Sequence, residues 1–276
     1  MAIDQWRLTL GGRYDWVDIK NKNHLTDNES TLDDTQFSGR VGALYLFDNG
    51  LAPYLSYNTA FTPTSFVDAE GDLLEPMEGE QWETGLKYQP PGSRDLYTLS
   101  LFRINQKNVA TKEQPSDPYR SVGEIRSQGV ELQARTWLTD NFRLQAGYSY
   151  TDIRYTKSDD PEEDGNYAIY APRHQASLWG HYAFDRGALD GLDAGLGVRY
   201  YADVYADRAN TETVPDYTLV DAAVGYDLSQ VGLQGVSARV NVGNLLDKEY
   251  VASCNSLEYC YFGAERNVTA TVSYQF

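Results

Sequence analysis

The chain has 276 residues, with 40 acidic against 23 basic side chains and a formal net charge of −17. That balance argues against a nucleic-acid binder, which needs a basic face to meet phosphates. Mean hydropathy is −0.54, and the longest apolar run, Val41 to Phe47, is broken by Gly42, far short of the roughly 20 apolar residues of a membrane-spanning helix. Yet this polar chain carries 22 Tyr, 9 Phe and 5 Trp. Abundant rings and glycine without an apolar block fit a transmembrane β-barrel, whose lipid-facing and lumen-facing residues alternate along each strand. A soluble β-sandwich or solenoid is the competing reading of composition alone.

Periodicity favours the barrel. In chain order, strands are predicted near 5–19, 34–47, 51–60, 78–89, 95–110, 122–138, 142–156, 170–184, 192–205, 215–228, 235–249 and 262–276. The segment 95–110 is the least regular, because Leu99 and Leu101 occupy one phase while Phe102 and Ile104 occupy the other. A bulge, or a strand continuing above the membrane, would account for it. In 142–156, Phe142, Leu144, Ala146, Tyr148 and Tyr150 alternate with Arg143, Gln145, Gly147, Ser149 and Thr151. In 235–249, Ala238, Val240 and Val242 alternate with Ser237, Arg239 and Asn241. The last segment alternates most strictly, with Val268, Ala270, Val272, Tyr274 and Phe276 on one face, over the 9–11 residues that a tilted membrane strand requires.

The connections sort by parity. Those near 48–50, 90–94, 139–141, 185–191 and 229–234 are short and rich in turn residues. Those at 20–33, 61–77, 111–121, 157–169, 206–214 and 250–261 are longer and polar. An antiparallel barrel with short periplasmic turns and long outer loops produces this rhythm; a sandwich has no reason to. Acidic residues gather in the long connections, as Asp68, Glu70, Asp72 and Glu75, and as Asp159, Asp160, Glu162, Glu163 and Asp164. They are expected to be solvated loop surface, the alternative being a divalent-cation or lipopolysaccharide contact. Arg40, Arg103, Arg135, Arg143 and Arg239 are expected to face the lumen, since a lipid-facing Arg costs about 2–4 kcal/mol near the midplane. Trp6, Trp82, Trp137 and Trp179 are expected in the interface belts, with Trp16 harder to place. Rings in the outer connections, among them Phe61, Phe66, Tyr119, Tyr167, Tyr170, Tyr201 and Tyr205, read first as girdle or loop packing and second as vestibule contacts. His24, His174 and His181 lack zinc spacing, so no metal site is expected, and no G-x-S-x-G nucleophile motif occurs.

Several motifs resemble a known family. Asn244-Leu245-Leu246-Asp247-Lys248-Glu249-Tyr250, followed by a loop and a last strand ending in Phe276, resembles the C-terminal signature of TonB-dependent outer-membrane receptors. Glu249-Tyr250-Val251-Ala252-Ser253-Cys254, with Cys260 six residues on and Phe262-Gly263-Ala264-Glu265-Arg266 after it, is similar to the ferrichrome and related hydroxamate-siderophore receptors. LGGRYDW at 10–16, LFDNG at 46–50, GEIRSQGVELQA at 123–134 and ASLWGHYAF at 176–184 fit the same family. The resemblance runs over essentially all of residues 1–276.

It implies an all-β, antiparallel transmembrane barrel in the bacterial outer membrane, of which these twelve strands are the C-terminal part of 22. A plug, a TonB-contacting segment and about ten strands would lie outside the chain, which is expected to be a C-terminal fragment from Met1-Ala2 onward, without a signal peptide. The implied function is import of ferric hydroxamate siderophores, with no cofactor beyond the transported chelate and no catalytic residues. Cys254 and Cys260 are expected to be disulfide-bonded, as an oxidising outer surface permits. The family places a ring directly after the first cysteine where this chain has Asn255, so Tyr259, Tyr261 and Phe262, with Phe66 and Tyr119, are the candidate ligand contacts. Val272, Tyr274 and Phe276 resemble the C-terminal signal read by the barrel-assembly machinery; the plainer reading is a last strand. Outer-membrane lipid, lipopolysaccharide, the siderophore and TonB are the implied partners. An open twelve-stranded sheet would expose two edges, so three fates are weighed: closure of 5–19 on 262–276, pairing with a separate N-terminal half, or aggregation. The competing functions are an autonomous twelve-stranded passive pore and an outer-membrane phospholipase built on His174 and Ser177, which an alternating strand would put on opposite faces.

Overall fold

The computed structural model describes residues 2–24, 27–112, 117–121, 123–158 and 163–276. Twelve long strands pair antiparallel in chain order within one sheet. They are β1 (Trp6–Lys22), β2 (Glu29–Tyr45), β3 (Leu51–Thr62), β4 (Met77–Tyr88), β5 (Leu96–Lys107) and β6 (Glu124–Trp137). The series continues with β7 (Phe142–Lys157), β8 (His174–Ala183), β9 (Leu192–Ala202), β10 (Tyr217–Asp227), β11 (Val236–Gly243) and β12 (Asn267–Tyr274). A two-residue piece, Ala2–Ile3, folds back on Trp6 and Arg7. Number and order match the prediction. The largest boundary differences lie at the outer ends, where β2 starts at Glu29 rather than 34, β11 stops at Gly243 rather than 249 and β12 starts at Asn267 rather than 262. Between β11 and β12 the chain leaves the sheet and builds a separate hairpin, Val251–Ser256 against Tyr259–Phe262. Residue 122, where the sixth strand was expected to begin, lies outside the described residues.

Register gives each side chain a face. Leu86, Leu99, Leu132 and Tyr148 form one outward row across β4–β7, and Ala134, Ala146, Leu178, Val198 and Val220 form another across β6–β10. Rings bracket this aliphatic band. Trp6 packs on Tyr45 and Tyr88 on Tyr97 at the short-turn end, while Tyr14 with Trp16 and Tyr57 with Trp82 stand at the other. An apolar band between two aromatic girdles is the outer surface of a membrane barrel.

The inward face is polar and internally bonded. The Tyr54 hydroxyl donates to Glu83 at 2.7 Å and lies 2.7 Å from the Ser100 hydroxyl. Arg199 donates to both oxygens of Asp221, at 2.5 and 2.9 Å. Arg239 donates to Asp193, which also meets His181 Nε2 at 3.1 Å. Arg199 is thus paired with Asp221 on the adjoining strand β10, while Asp193 collects His181 from β8 and Arg239 from β11, two strands away.

Three expectations fail on the same geometry. Arg103 shares the outward phase of Leu99 and Leu101 and sits opposite Trp82 and Gln128. It lies at the level of the outer girdle, where an outward Arg no longer meets hydrocarbon. Strand β5 pairs with both neighbours without a register break, so its irregularity is a strand continuing above the membrane rather than a bulge. Trp179 and Trp137 face inward rather than into the belts. The Trp179 indole lies flat on the wall where a Cβ at Gly195 or Gly197 would stand 2.3 or 2.2 Å from ring carbons, and Trp137 lies under the guanidiniums of Arg94 and Arg135. Arg40, Arg135, Arg143 and Arg239 face inward as expected.

Trp6–Lys22 and Asn267–Tyr274 are not paired with each other, so among the described residues the sheet is open. Strand β12 is exposed at every position.

Candidate functional site

The long connections converge at the outer end. The segment after β11 shows how the sequence builds this rim. Asn244, with a left-handed φ of 49°, is 3% exposed. Its amide nitrogen donates to the carbonyls of Lys248 at 2.8 Å and Ala264 at 3.2 Å, its side-chain oxygen accepts from Lys248 N at 2.9 Å, and its backbone N–H donates to Asp221 at 3.0 Å. Asp247 accepts from Arg266 backbone and guanidinium, each at 2.8 Å. Tyr250 packs on Tyr217, which stacks on Tyr201, and its ring occupies the space where a Cβ at Gly263 would stand, 1.9 Å away. The motif at 244–250 is therefore the base from which the hairpin rises against the connection after β9. Replacing Asn244 with Ala strands several buried backbone groups, at about 1–3 kcal/mol; the check is limited proteolysis, with cleavage rising at 251–262 while the strands stay protected.

The backbone N–H of Arg266, and then its side chain, hold the Asp247 carboxyl below the usual carboxylate range. A depressed folded value stabilises above the unfolded value of 3.8 and is lost as pH falls through the folded one. The clip therefore holds at neutral pH and weakens only as pH falls below 3.8 toward the depressed folded value, read as faster exchange of the Arg266 amide.

Cys254 and Cys260 are disulfide-bonded across the hairpin, closing a loop short enough to contribute about 2 kcal/mol on the chain-entropy estimate. Cys254 is 3% exposed and packs with Val204, Ala206 and Val214 of the neighbouring connection. The hairpin presents Tyr259, Tyr261 and Phe262 on its exposed strand, Phe262 at 80% exposure. Tyr261 lies 6.3 Å from Tyr170, ring centre to ring centre. Burial, and then Tyr261, push the Tyr170 phenol up. Phe66 and Tyr119, from the connections after β3 and β5, stack at 3.9 Å. The five candidate rings thus form two groups, and no ring contact joins them among the described residues.

One feature of the rim contradicts the expected solvated surface. Glu163 is 1% exposed. It accepts from Arg120 Nη2 at 2.9 Å, Arg208 Nη1 at 2.7 Å and the Ser158 hydroxyl at 2.9 Å. Its neighbours Asp159, Asp160 and Glu162 lie outside the described residues. Tyr167, from the same connection, stacks on Tyr205 and carries the guanidiniums of Arg154 and Arg173. On the strands, His174 faces outward against Tyr148, and Ser177 faces inward beside Arg199. Among the described residues no group of three or more His, Cys, Asp or Glu is placed to hold a metal ion.

An antiparallel sheet with a girdled apolar exterior, a polar inner wall and a ring-rich outer rim is the wall of a transmembrane β-barrel. The family described as "TonB dependent receptor-like, beta-barrel" matches residues 1–245, and the chain belongs to it. Over 276 residues it is 59% identical to the Ferrioxamine B receptor of Salmonella typhimurium, covering all of this chain and 39% of that protein. Over 275 residues it is 42% identical to the "Ferrichrome outer membrane transporter/phage receptor" of Escherichia coli, covering 99% of this chain and 36% of that protein. The crystal structure of the siderophore receptor PiuA from Acinetobacter baumannii superposes with a TM-score of 0.78 at 25% identity, over 98% of this chain and 41% of the receptor. The chain thus spans about two fifths of the length of such proteins, and its relatives are transport receptors of the outer membrane.

Proposed function

We propose that the chain forms the C-terminal part of the barrel of a receptor that binds ferric hydroxamate siderophores and imports them with energy relayed through TonB. The observation that carries this is the 59% identity to a ferrioxamine B receptor along the whole chain. The iron is cargo, and its ligand atoms belong to the siderophore. Tyr261, Tyr259 and Phe262 on the disulfide hairpin, and Phe66 with Tyr119 across the rim, supply apolar faces for the chelate's carbon skeleton and phenols for its oxygens. A plug and TonB contact would come from residues beyond these 276, and further strands would cover the open edges of β1 and β12, where each unpaired backbone group in hydrocarbon costs several kcal/mol. That open sheet also makes a self-contained passive pore the weaker reading. Lipid covers the aliphatic band, outward Arg103 meets lipopolysaccharide phosphate at the girdle, and the assembly machinery reads Val272, Tyr274 and Phe276. No residue is assigned a catalytic role.

The test is uptake of radioactive iron from ferrioxamine B by cells whose only hydroxamate receptor is the complete protein. TonB-dependent uptake, abolished by deleting 250–262, is expected. Absence of both binding and uptake for ferrioxamine B and ferrichrome alike would sink the reading.

A further inference from the structure

The buried carboxylate of Glu163 lies at the crossing of three outer connections. Arg120 comes from the one after β5, Glu163 and Ser158 from the one after β7, and Arg208 from the one after β9. The carboxylate lies deep enough to be dry, and a dry carboxylate is sustained only by full pairing. Two guanidiniums and a hydroxyl provide that here. Arg208 also donates to the Thr111 hydroxyl at 3.2 Å and the Lys112 carbonyl at 3.3 Å, and its own carbonyl accepts from the Asn166 amide at 3.0 Å. Asn210 then clamps Tyr167 through both backbone groups, at 2.6 and 3.0 Å.

The groups fixed this way are the rim rings. Tyr119 precedes Arg120 and stacks on Phe66, which brings in the connection after β3. Tyr170 follows Glu163 by seven residues and faces Tyr261 of the hairpin. Its φ of 67° is left-handed, and it is the only described residue with positive φ that is not Gly, Asn or Asp. A side chain of that size holds such a backbone only where surrounding structure fixes it. Buried Tyr155 and Ile169 pack the same region.

We propose that Glu163 is a positioning residue for chelate binding: its charge draws Arg120 and Arg208 onto one point, and so sets Tyr119 and Tyr170 on the two sides of the mouth. The assignment rests on the receptor reading above. Glu163 touches no ligand; it acts through the rings it places.

The experiment compares Glu163→Gln and Glu163→Asp in the complete receptor, using ferrioxamine B quenching of intrinsic fluorescence for affinity and amide exchange at 117–121 and 205–212 for order. Gln keeps the shape and loses the charge; Asp keeps the charge and loses a methylene. The expected result is a Kd raised about tenfold or more for Gln, with faster exchange in both segments, and a Kd within about threefold of the parent for Asp. Gln binding like the parent, or Asp losing more than Gln, overturns the assignment, because side-chain volume rather than charge then sets the rim. Should Gln fail to give a heat-modifiable barrel, Arg208→Met carries the test. It removes the charge that answers Glu163 at 2.7 Å while keeping an unbranched side chain, and unchanged affinity in it overturns the assignment equally. A parent that binds no ferric hydroxamate removes the receptor reading itself, whereas a binding parent with indifferent variants removes only the role of Glu163.

Discussion

Arg208→Met opens the outer connections while leaving the strands intact. The substitution keeps an unbranched side chain of similar length but takes from Glu163 its 2.7 Å partner, and from Thr111 and the Lys112 carbonyl their donor. Arg120 and Ser158 remain, so the carboxylate keeps two contacts and loses its shortest. Breaking a buried pair from one side costs about 3–5 kcal/mol, most of it the penalty of a charge left in a dry place. With Arg120 still present the lower figure applies. About 3 kcal/mol corresponds to roughly a hundredfold in the local opening equilibrium. Amide exchange in 117–121 and 163–170 is expected to accelerate by that factor, while amides of β6 through β10 hold their rates. The second half matters because barrel strands carry their own ladder and need nothing from the rim. A change under threefold in the rim would mean that the ion pair breaks even with its desolvation.

Sheet and rim differ in how far the sequence discloses them. The twelve strands follow from a period of two, which survives in any alternating segment because each face has its own solvent. The sorting of long and short connections follows from the same antiparallel logic. Face assignment fails where a residue is read by type instead of phase. Read by type, Trp179 belongs in a belt, although it shares phase with Gln175 and Ser177 and opposes Leu178. Its partners Gly195 and Gly197 were the available signal, two missing side chains on the inner face opposite a large ring. Read by type, Arg103 belongs inside, although Leu99 and Leu101 fix its phase outward. The rule that strand arginines face the lumen holds only at hydrocarbon depth.

The rim was legible in composition and not in connectivity. Tyr119, Tyr261 and the cysteine pair stand out as residues, and the disulfide places the hairpin. Nothing local marks Glu163 among its four acidic neighbours, since its arginine partners lie 43 and 45 positions away. Tertiary pairing of that kind leaves no periodic trace. The Asn244 network lies between these extremes. Its motif was recognised, but the reason for it, a left-handed turn that caps Lys248 and Ala264, needs coordinates.

Leu132→Arg and its neighbour Gln133→Arg put the same charge at the same depth of the same strand, on opposite faces. Leu132 is 46% exposed on the outward side, in the row of Leu86, Leu99 and Tyr148. A guanidinium there meets acyl chains, at about 2–4 kcal/mol near the midplane. Gln133 faces inward beside Gly147, which has no side chain to displace, and Glu131 lies two residues along on the same face. An Arg at 133 stands between Glu131 and Arg135 on the same face, one charge of each sign, and stays in a polar lumen, so it is expected within about 0.5 kcal/mol of the parent. The measurement is urea unfolding of the complete receptor in lipid vesicles, followed by loss of the heat-modifiable band. A fall in stability at 132 with none at 133 is what the register requires. Equal losses at both positions would mean that the lumen here is as dry as the bilayer. Loss at 133 alone would put the two faces the other way round, and the pairing of β5, β6 and β7 would have to slip by one residue.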